Sequence, residues 1–257
     1  MDSIDFGSHL VGITTTQSVV VVNGGSIPLN FVSLGTTAAP YSINAGASTC
    51  SNVTPLGVRQ NCTIALNFKP SGAVLSPGSF ALDTDSVPAP DPIALSGMGL
   101  AGTQKLKNSS FEMDANLDRK PDKWTFSNFD AATDGRDCTV HKSGICSLLL
   151  VGNGTQKTAT QTVKQSGTAG DEFSFTLWSK SQSVPAGATY QLQVKLYDGP
   201  ALLATSKKNF TKGTHGFQKV NSAFVAPGAY TKVTYKLTFK GPSGMVWFDA
   251  AGLSRVP

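Results

Sequence analysis

Two stretches decide how this chain is read: "DEFSFTLWSKS" at residues 171–181 and "ATYQLQVKLYD" at 188–198. In the first, Phe173, Phe175 and Leu177 alternate with Ser174, Thr176 and Trp178. In the second, Tyr190, Leu192, Val194 and Leu196 alternate with Gln191, Gln193, Lys195 and Tyr197. Neighbouring side chains on a strand point to opposite faces, so a period of two marks a strand with one apolar side. "CTIALNFKP" at 62–70 repeats the pattern and puts Ile64, Leu66 and Phe68 on one face. Composition points the same way. Glutamate occurs only at Glu112 and Glu172, and charged residues make up 14% of the chain, against roughly 25% in an average domain. Helix formers are scarce and β-formers plentiful, so an almost all-β protein is predicted.

The charge divides the chain. Residues 1–102 carry Arg59 and Lys69 against five aspartates, a net of −3, while the remainder carries 19 bases and 11 acids, a net of +8. The change falls at the Gly-rich "SGMGLAGTQKLKNSS", which places a boundary near Ala101–Gln104 and gives domains of 1–102 and 103–257. The first half reads as about seven short strands, including two about the turn "NGGS" and two across the Pro-rich stretch that ends in "IALSGMG". That density suits an Ig-like β-sandwich. The second half reads as about ten longer strands and suits a jelly-roll β-sandwich.

Four cysteines fall in two close pairs, Cys50 with Cys62 and Cys138 with Cys146, and none is in a CxxC. Two local disulfides and an oxidising, extracellular setting are predicted, each bond contributing about 2–3 kcal/mol. A four-Cys zinc site is the alternative and would need ligands from both domains. His9, His141 and His215 form no cluster. No apolar run reaches the length of about 18 residues that a membrane helix needs. "MDSIDFG" has neither the basic nor the apolar region of a signal peptide, so Met1 is read as an added start within a longer polypeptide, native first residues being the equal alternative.

Two resemblances follow from particular residues. "IDFGSHLVGITTTQSVVVVNGGSIPLNF", "NCTIALNFKPSG" and the ending "IALSGMGLAG" resemble bacterial Ig-like repeats of the choice-of-anchor D and ASPM/SPD-2/Hydin type over about residues 4–101. The resemblance implies a spacer or interaction module, with Cys50 and Cys62 at positions where such repeats often carry a disulfide. "LKNSSFE", "PDKWTF", "SGICSLLLVG", "DEFSFTLWSKS" and "VWFDAAGLSRV" resemble carbohydrate-binding modules of the family 4, 9 and 22 type over about 105–257.

In that second family a structural Ca²⁺ ties the first strand to the last. The matching carboxylates here are Glu112 and Asp249, with backbone oxygens near Ser110 and Ile145 to complete the shell. Carbonyls and carboxylates are the hard oxygens that Ca²⁺ prefers. His141 and Lys142 depart from the pattern, standing where some relatives keep an acid. The alternative is that Glu112 caps a loop and Asp249 accepts backbone hydrogen bonds. Asp114, Asn116 and Asp118 are spaced like the start of an EF-hand loop, but Arg119 and Thr125 stand where that loop needs Gly and Glu. A solvated acidic turn is the other reading.

A sugar site needs aromatic platforms beside amides. If the strands at 171–181 and 188–198 are neighbours, Trp178, Gln191, Gln193 and Tyr197 share an outer face that meets this requirement; an ordinary solvated face is the alternative. Trp124 and Trp247 are assigned to the core. No nucleophile elbow, HExxH, P-loop or dinucleotide fingerprint occurs, and the glutamates are too few for paired-carboxylate glycosidase chemistry. The expectation is therefore a chain that is not an enzyme. Scattered lysines argue against nucleic acid. Asn52, Asn61, Asn108, Asn153 and Asn209 stand in N-x-S/T and leave glycosylation open.

Two readings result. One is an extracellular module pair of a larger surface or secreted protein, binding a polysaccharide or glycan through the second domain for adhesion or targeting. The other is a structural building block that packs against neighbouring domains of the same polypeptide or self-assembles into a layer, filament or stalk.

Overall fold

The structure, a computed structural model, describes residues 3–256. It forms two compact units, one ending at Ala101 and the other beginning at Gly102. Among the described residues the fold is all-β apart from one short 3₁₀ turn at Ala45–Ala47.

The first unit has β1 (Ser3–Leu10), β2 (Thr15–Val22), β3 (Phe31–Thr37), β4 (Tyr41–Ile43), β5 (Asn61–Phe68), β6 (Gly78–Thr84) and β7 (Ile93–Leu100). One sheet runs β1-β7-β6-β3, with β1 parallel to β7, and the other runs β2-β5-β4. Alternation in β5 buries Ile64, Leu66 and Phe68 between the sheets, with no exposed surface on any of the three. Each such burial is worth about 1.5–3 kcal/mol. The "SGMG" of β7 has a steric reason. A Cβ on Gly97 would lie 2.7 Å from the Phe68 ring, and one on Gly99 would lie 1.9 Å from the Gly72 carbonyl oxygen. The Cys50–Cys62 disulfide forms at the edge of this core. The predicted turn at "NGGS" does not make a hairpin: β2 and β3 lie in different sheets. The Asn23 side chain is buried there, donating to the carbonyls of Ile27 and Leu56.

The second unit has β8 (Thr103–Gln104), β9 (Thr125–Ser127), β10 (Gly135–Asp137), β11 (Ser147–Val151), β12 (Lys157–Gly167), β13 (Glu172–Val184), β14 (Thr189–Asp198), β15 (Ala201–Asn209), β16 (Gly213–Val225), β17 (Tyr230–Lys240) and β18 (Met245–Val256). It is a jelly roll of two sheets, β10-β11-β18-β13-β16 with β8 on β18, and β15-β14-β17-β12-β9. The inward sets of β13 and β14, Phe173, Phe175, Leu177, Tyr190, Leu192, Val194 and Leu196, are all at most 2% exposed. Tyr235, Leu237, Phe239, Val246 and Phe248 join them in one core. The Cys138–Cys146 disulfide closes the segment between β10 and β11.

Candidate functional site

The acidic stretch after β8 holds itself together. Asn108 donates from Nδ2 to the carbonyls of Met113 and Asp122 and accepts from the Met113 amide, each at 2.9 Å. Asp114 accepts from the Arg119 amide, Asp118 from the Lys120 amide and Asp122 from the Ala115 amide. Phe111, Leu117, Arg119 and Lys123 all have positive φ, so the chain turns repeatedly here and its amides point away from any ladder. The carboxylates satisfy those amides. Asp114 and Asp118 are thus engaged within the loop, and the EF-hand-like spacing belongs to an acidic turn.

The predicted calcium carboxylates Glu112 and Asp249 both meet the 142–146 loop and accept from its backbone amides. Asp249 is fully buried, and its Oδ2 accepts from the Lys142 and Ser143 amides at 2.6 and 2.8 Å. Its Oδ1 takes the Ser143 hydroxyl and the Ala250 amide. Ile145 directs its amide, not its carbonyl, at Glu112 Oε1, and the Cys146 amide joins it. Near Ser110, the Ser109 carbonyl accepts from the Ala251 amide at 2.8 Å. The disulfide-closed loop therefore supplies N–H donors to both carboxylates. Glu112 Oε2 and Asp114 Oδ1 are the exceptions, buried carboxylate oxygens with no hydrogen-bond partner. Among the described residues no group of three or more His, Cys, Asp or Glu side chains is placed to hold a metal.

The four predicted sugar contacts do not share a face. Trp178 is on β13 and Gln191, Gln193 and Tyr197 are on β14, and these strands belong to opposite sheets. The link 185–188 crosses from one sheet to the other. Trp178 looks out from the six-stranded sheet, where the Lys142 ammonium lies 4.4 Å from its ring centroid. Trp247 is buried as predicted, at 5% exposure, but on the outer side of this sheet: it pairs with Lys180 on β13, its ring lies under the Lys180 ammonium at 5.3 Å, and its Nε1 donates to Asp137 at 2.8 Å. Both indole faces are thus capped by lysine. Burial works against the Asp137 carboxylate, but hydrogen bonds from Thr139 and Trp247 bring its pKa below the usual value. Trp124 does lie in the core, against Phe111 and Tyr235.

Gln191, Gln193 and Tyr197 remain together on the outer face of the five-stranded sheet. Across β17 and β12 they align in rows: Gln191 with Thr238 and Thr158, Gln193 with Lys236 and Thr160, Lys195 with Thr234 and Thr162. On the other side β15 adds Asn209, Lys207 and Thr205 to these rows. Tyr197 closes the face, with the Lys232 ammonium 5.1 Å from its ring. Thr158 and Thr238 are buried, at 7% and 2% exposure, and the rest of the face offers amides, hydroxyls and ammonium groups about one strand spacing, roughly 4.8 Å, apart.

Two buried charge clusters escaped the sequence reading. Lys157 Nζ lies 2.8 Å from each oxygen of Asp134 with both side chains enclosed. Its position, two residues before the inward Ala159, was the only signal. Asp171 takes Arg255 at 2.7 Å and the Tyr230 hydroxyl at 2.6 Å. Burial opposes ionisation of Asp171, and the hydrogen bonds from Tyr230 and Arg255 win, so its pKa falls below the ordinary value. Burial and the Asp171 contact raise the Tyr230 phenol. In the first unit a cleft of about 930 Å³ lies among Val20, Val22, Ile27 and Val87; its charged lining residues are Asp85 and Asp91.

No family model matches the sequence, and no curated protein matches it. The Ig-like repeat resemblance of the first half therefore stands on its quoted residues alone. Solved structures that are similar include the enzymatically active domain of tailspike protein 4 of bacteriophage CBA120, at 14% identity and TM-score 0.48. That match covers 62% of this chain and 23% of the tailspike chain. A Stig cyclase from Fischerella sp. TAU matches at 16% identity and TM-score 0.44, over 60% of this chain and 97% of its own. A carbohydrate-binding module, Family 16 Carbohydrate Binding Module-2, matches at 18% identity and TM-score 0.40, over 47% and 84%. The expectation that the chain is not an enzyme is corrected by this set, which contains enzymes beside a binding module and does not separate the two classes.

Proposed function

We propose that the second unit binds a polysaccharide through the outer face of its five-stranded sheet. The observation that carries this reading is the alignment of Gln193 with Thr160 and of Lys195 with Thr234 and Thr162, beside Gln191 and with Tyr197 at the margin. Amide and hydroxyl groups in register donate to and accept from sugar hydroxyls along an extended chain. Tyr197 supplies an aromatic body with a polar tip. The setting proposed is extracellular, in line with two disulfides. Binding there serves adhesion or the targeting of a larger protein to its substrate.

The test is isothermal titration calorimetry of the 257-residue chain against soluble polysaccharides, repeated with Gln193→Ala and Tyr197→Ala. Saturable binding that both substitutions weaken supports the reading. Binding that survives both but is lost in Trp178→Ala would move the site to the other sheet.

A further inference from the structure

We infer that the ligand of this face is an acidic polysaccharide, a polymer carrying carboxylate or sulfate groups; the inference rests on the proposed glycan reading. Six lysines stand at outward positions of the five-stranded sheet: Lys164 on β12, Lys195 on β14, Lys207 on β15, and Lys232, Lys236 and Lys240 on β17. The outward positions between them are filled by threonine, glutamine, asparagine and Tyr197, and no paired outward position of β12, β14, β15 or β17 from Thr158 to Lys164, Gln191 to Tyr197, Thr205 to Asn209 or Lys232 to Lys240 is Asp or Glu. The ion pairs found among the described residues are Arg136–Asp114, Lys157–Asp134 and Arg255–Asp171, and none involves these six lysines.

The arrangement is costly without a ligand. Lys164 sits directly opposite Lys232 on the neighbouring strand, and like charges so placed destabilise a sheet. Lys195, Lys232 and Lys236 are only half exposed, which strengthens their field. The buried charges of the unit are paired, Lys157 with Asp134 and Arg255 with Asp171. A local rule broken in one place, beside rules kept elsewhere, marks a functional surface. The missing partner is a row of anions.

Nucleic acid is a polyanion too, but this face suits it poorly. Single strands need several aromatic platforms, and here there is one, Tyr197, already under Lys232. Sequence readers of duplex DNA insert a helix or ribbon into a groove, and a broad sheet face does neither. The amides and hydroxyls between the lysines match a sugar backbone that carries acid groups at intervals.

The test is calorimetry of the 257-residue chain with polygalacturonate, chondroitin sulfate, neutral galactan and a single-stranded DNA oligomer, each over a range of salt. Acidic polysaccharide is expected to bind more tightly than galactan, and to weaken as salt rises. Lys195→Gln/Lys236→Gln is expected to weaken it by about tenfold. Lys219→Gln, on the opposite sheet, is expected to leave it unchanged. Preference for galactan would overturn the acidic assignment and leave the glycan reading standing. Binding to none of the polymers would overturn both. DNA bound as tightly as the acidic polysaccharides, or equal loss in Lys219→Gln, would overturn the assignment of this face. Circular dichroism of each variant separates loss of binding from loss of fold.

Discussion

Lys157 and Asp134 form an ion pair sealed inside the jelly roll, with Nζ 2.8 Å from both carboxylate oxygens and side-chain exposures of 1% and 0%. Asp134 also accepts the Asp130 and Val151 amides, so the pair ties β11 and β12 to the 130–134 turn. Removing one partner strands the other charge. Lys157→Met is expected to destabilise the second unit by about 3–5 kcal/mol, and Lys157→Met with Asp134→Leu by less. Urea unfolding of the two variants checks this; equal losses would mean that the amide contacts of Asp134 matter more than its charge.

Asp171 gives the unit a pH dependence of definite sign. Its folded pKa lies below the unfolded value, so its contribution is complete above about pH 4 and is lost as pH falls through the folded value. Thermal melts from about pH 2 to 5 are expected to show a shallower acid slope in Asp171→Asn than in the parent chain. An unchanged slope would assign acid lability to other carboxylates.

Asp249 holds the disulfide-closed loop through the Lys142 and Ser143 amides. Asp249→Ala removes the acceptor of these part-buried amides and is expected to cost about 1.5–3 kcal/mol per hydrogen bond lost to the charged carboxylate. Since the loop supplies N–H donors to both carboxylates, EDTA is expected to leave the melting temperature unchanged. A fall on EDTA treatment that calcium reverses, and that Glu112→Gln abolishes, would restore the ion through Glu112 Oε2.

The Cys138–Cys146 bond constrains that same loop. Cys138→Ser/Cys146→Ser is expected to lose about 2–3 kcal/mol by the loop-entropy estimate, and less in an Asp249→Ala background because the two restraints act on one segment. A double-mutant cycle measures the coupling. Strict additivity would show that the loop is fixed from elsewhere.

Tryptophan emission is expected to report little of any binding on the five-stranded face. Trp124 is in the core, and Trp178 and Trp247 cap the outer side of the other sheet under Lys142 and Lys180. A large ligand-dependent shift that Trp178→Phe removes would place the ligand on that other sheet.

Much of the fold was legible. The inward sets Ile64–Leu66–Phe68, Phe173–Phe175–Leu177 and Tyr190–Leu192–Val194–Leu196 follow from period-two alternation, and all are buried. The candidate site was legible only in part. Gln191, Gln193 and Tyr197 do share an outer face, but Trp178 was joined to them on the assumption that strands close in sequence are neighbours. The lysine face was hidden for the same reason: Lys164, Lys195, Lys207 and Lys236 are dispersed along the chain, and only strand pairing gathers them.

By itself the sequence determined strand identity and the side of each strand that turns inward, because alternation is a local property carried by a few adjacent residues. Tertiary structure decided which strand lies beside which. The stretch "SVPAG" at 183–187 could close a hairpin or cross between sheets, and nothing within it selects the crossing. The choice is made by partners distant in the chain: β13 pairs with β16 and β18, β14 with β15 and β17, and each pairing buries an apolar face against the other sheet. Such burial is non-directional and depends on the whole core, which is why the composition of each outer face emerges only when the sandwich has closed.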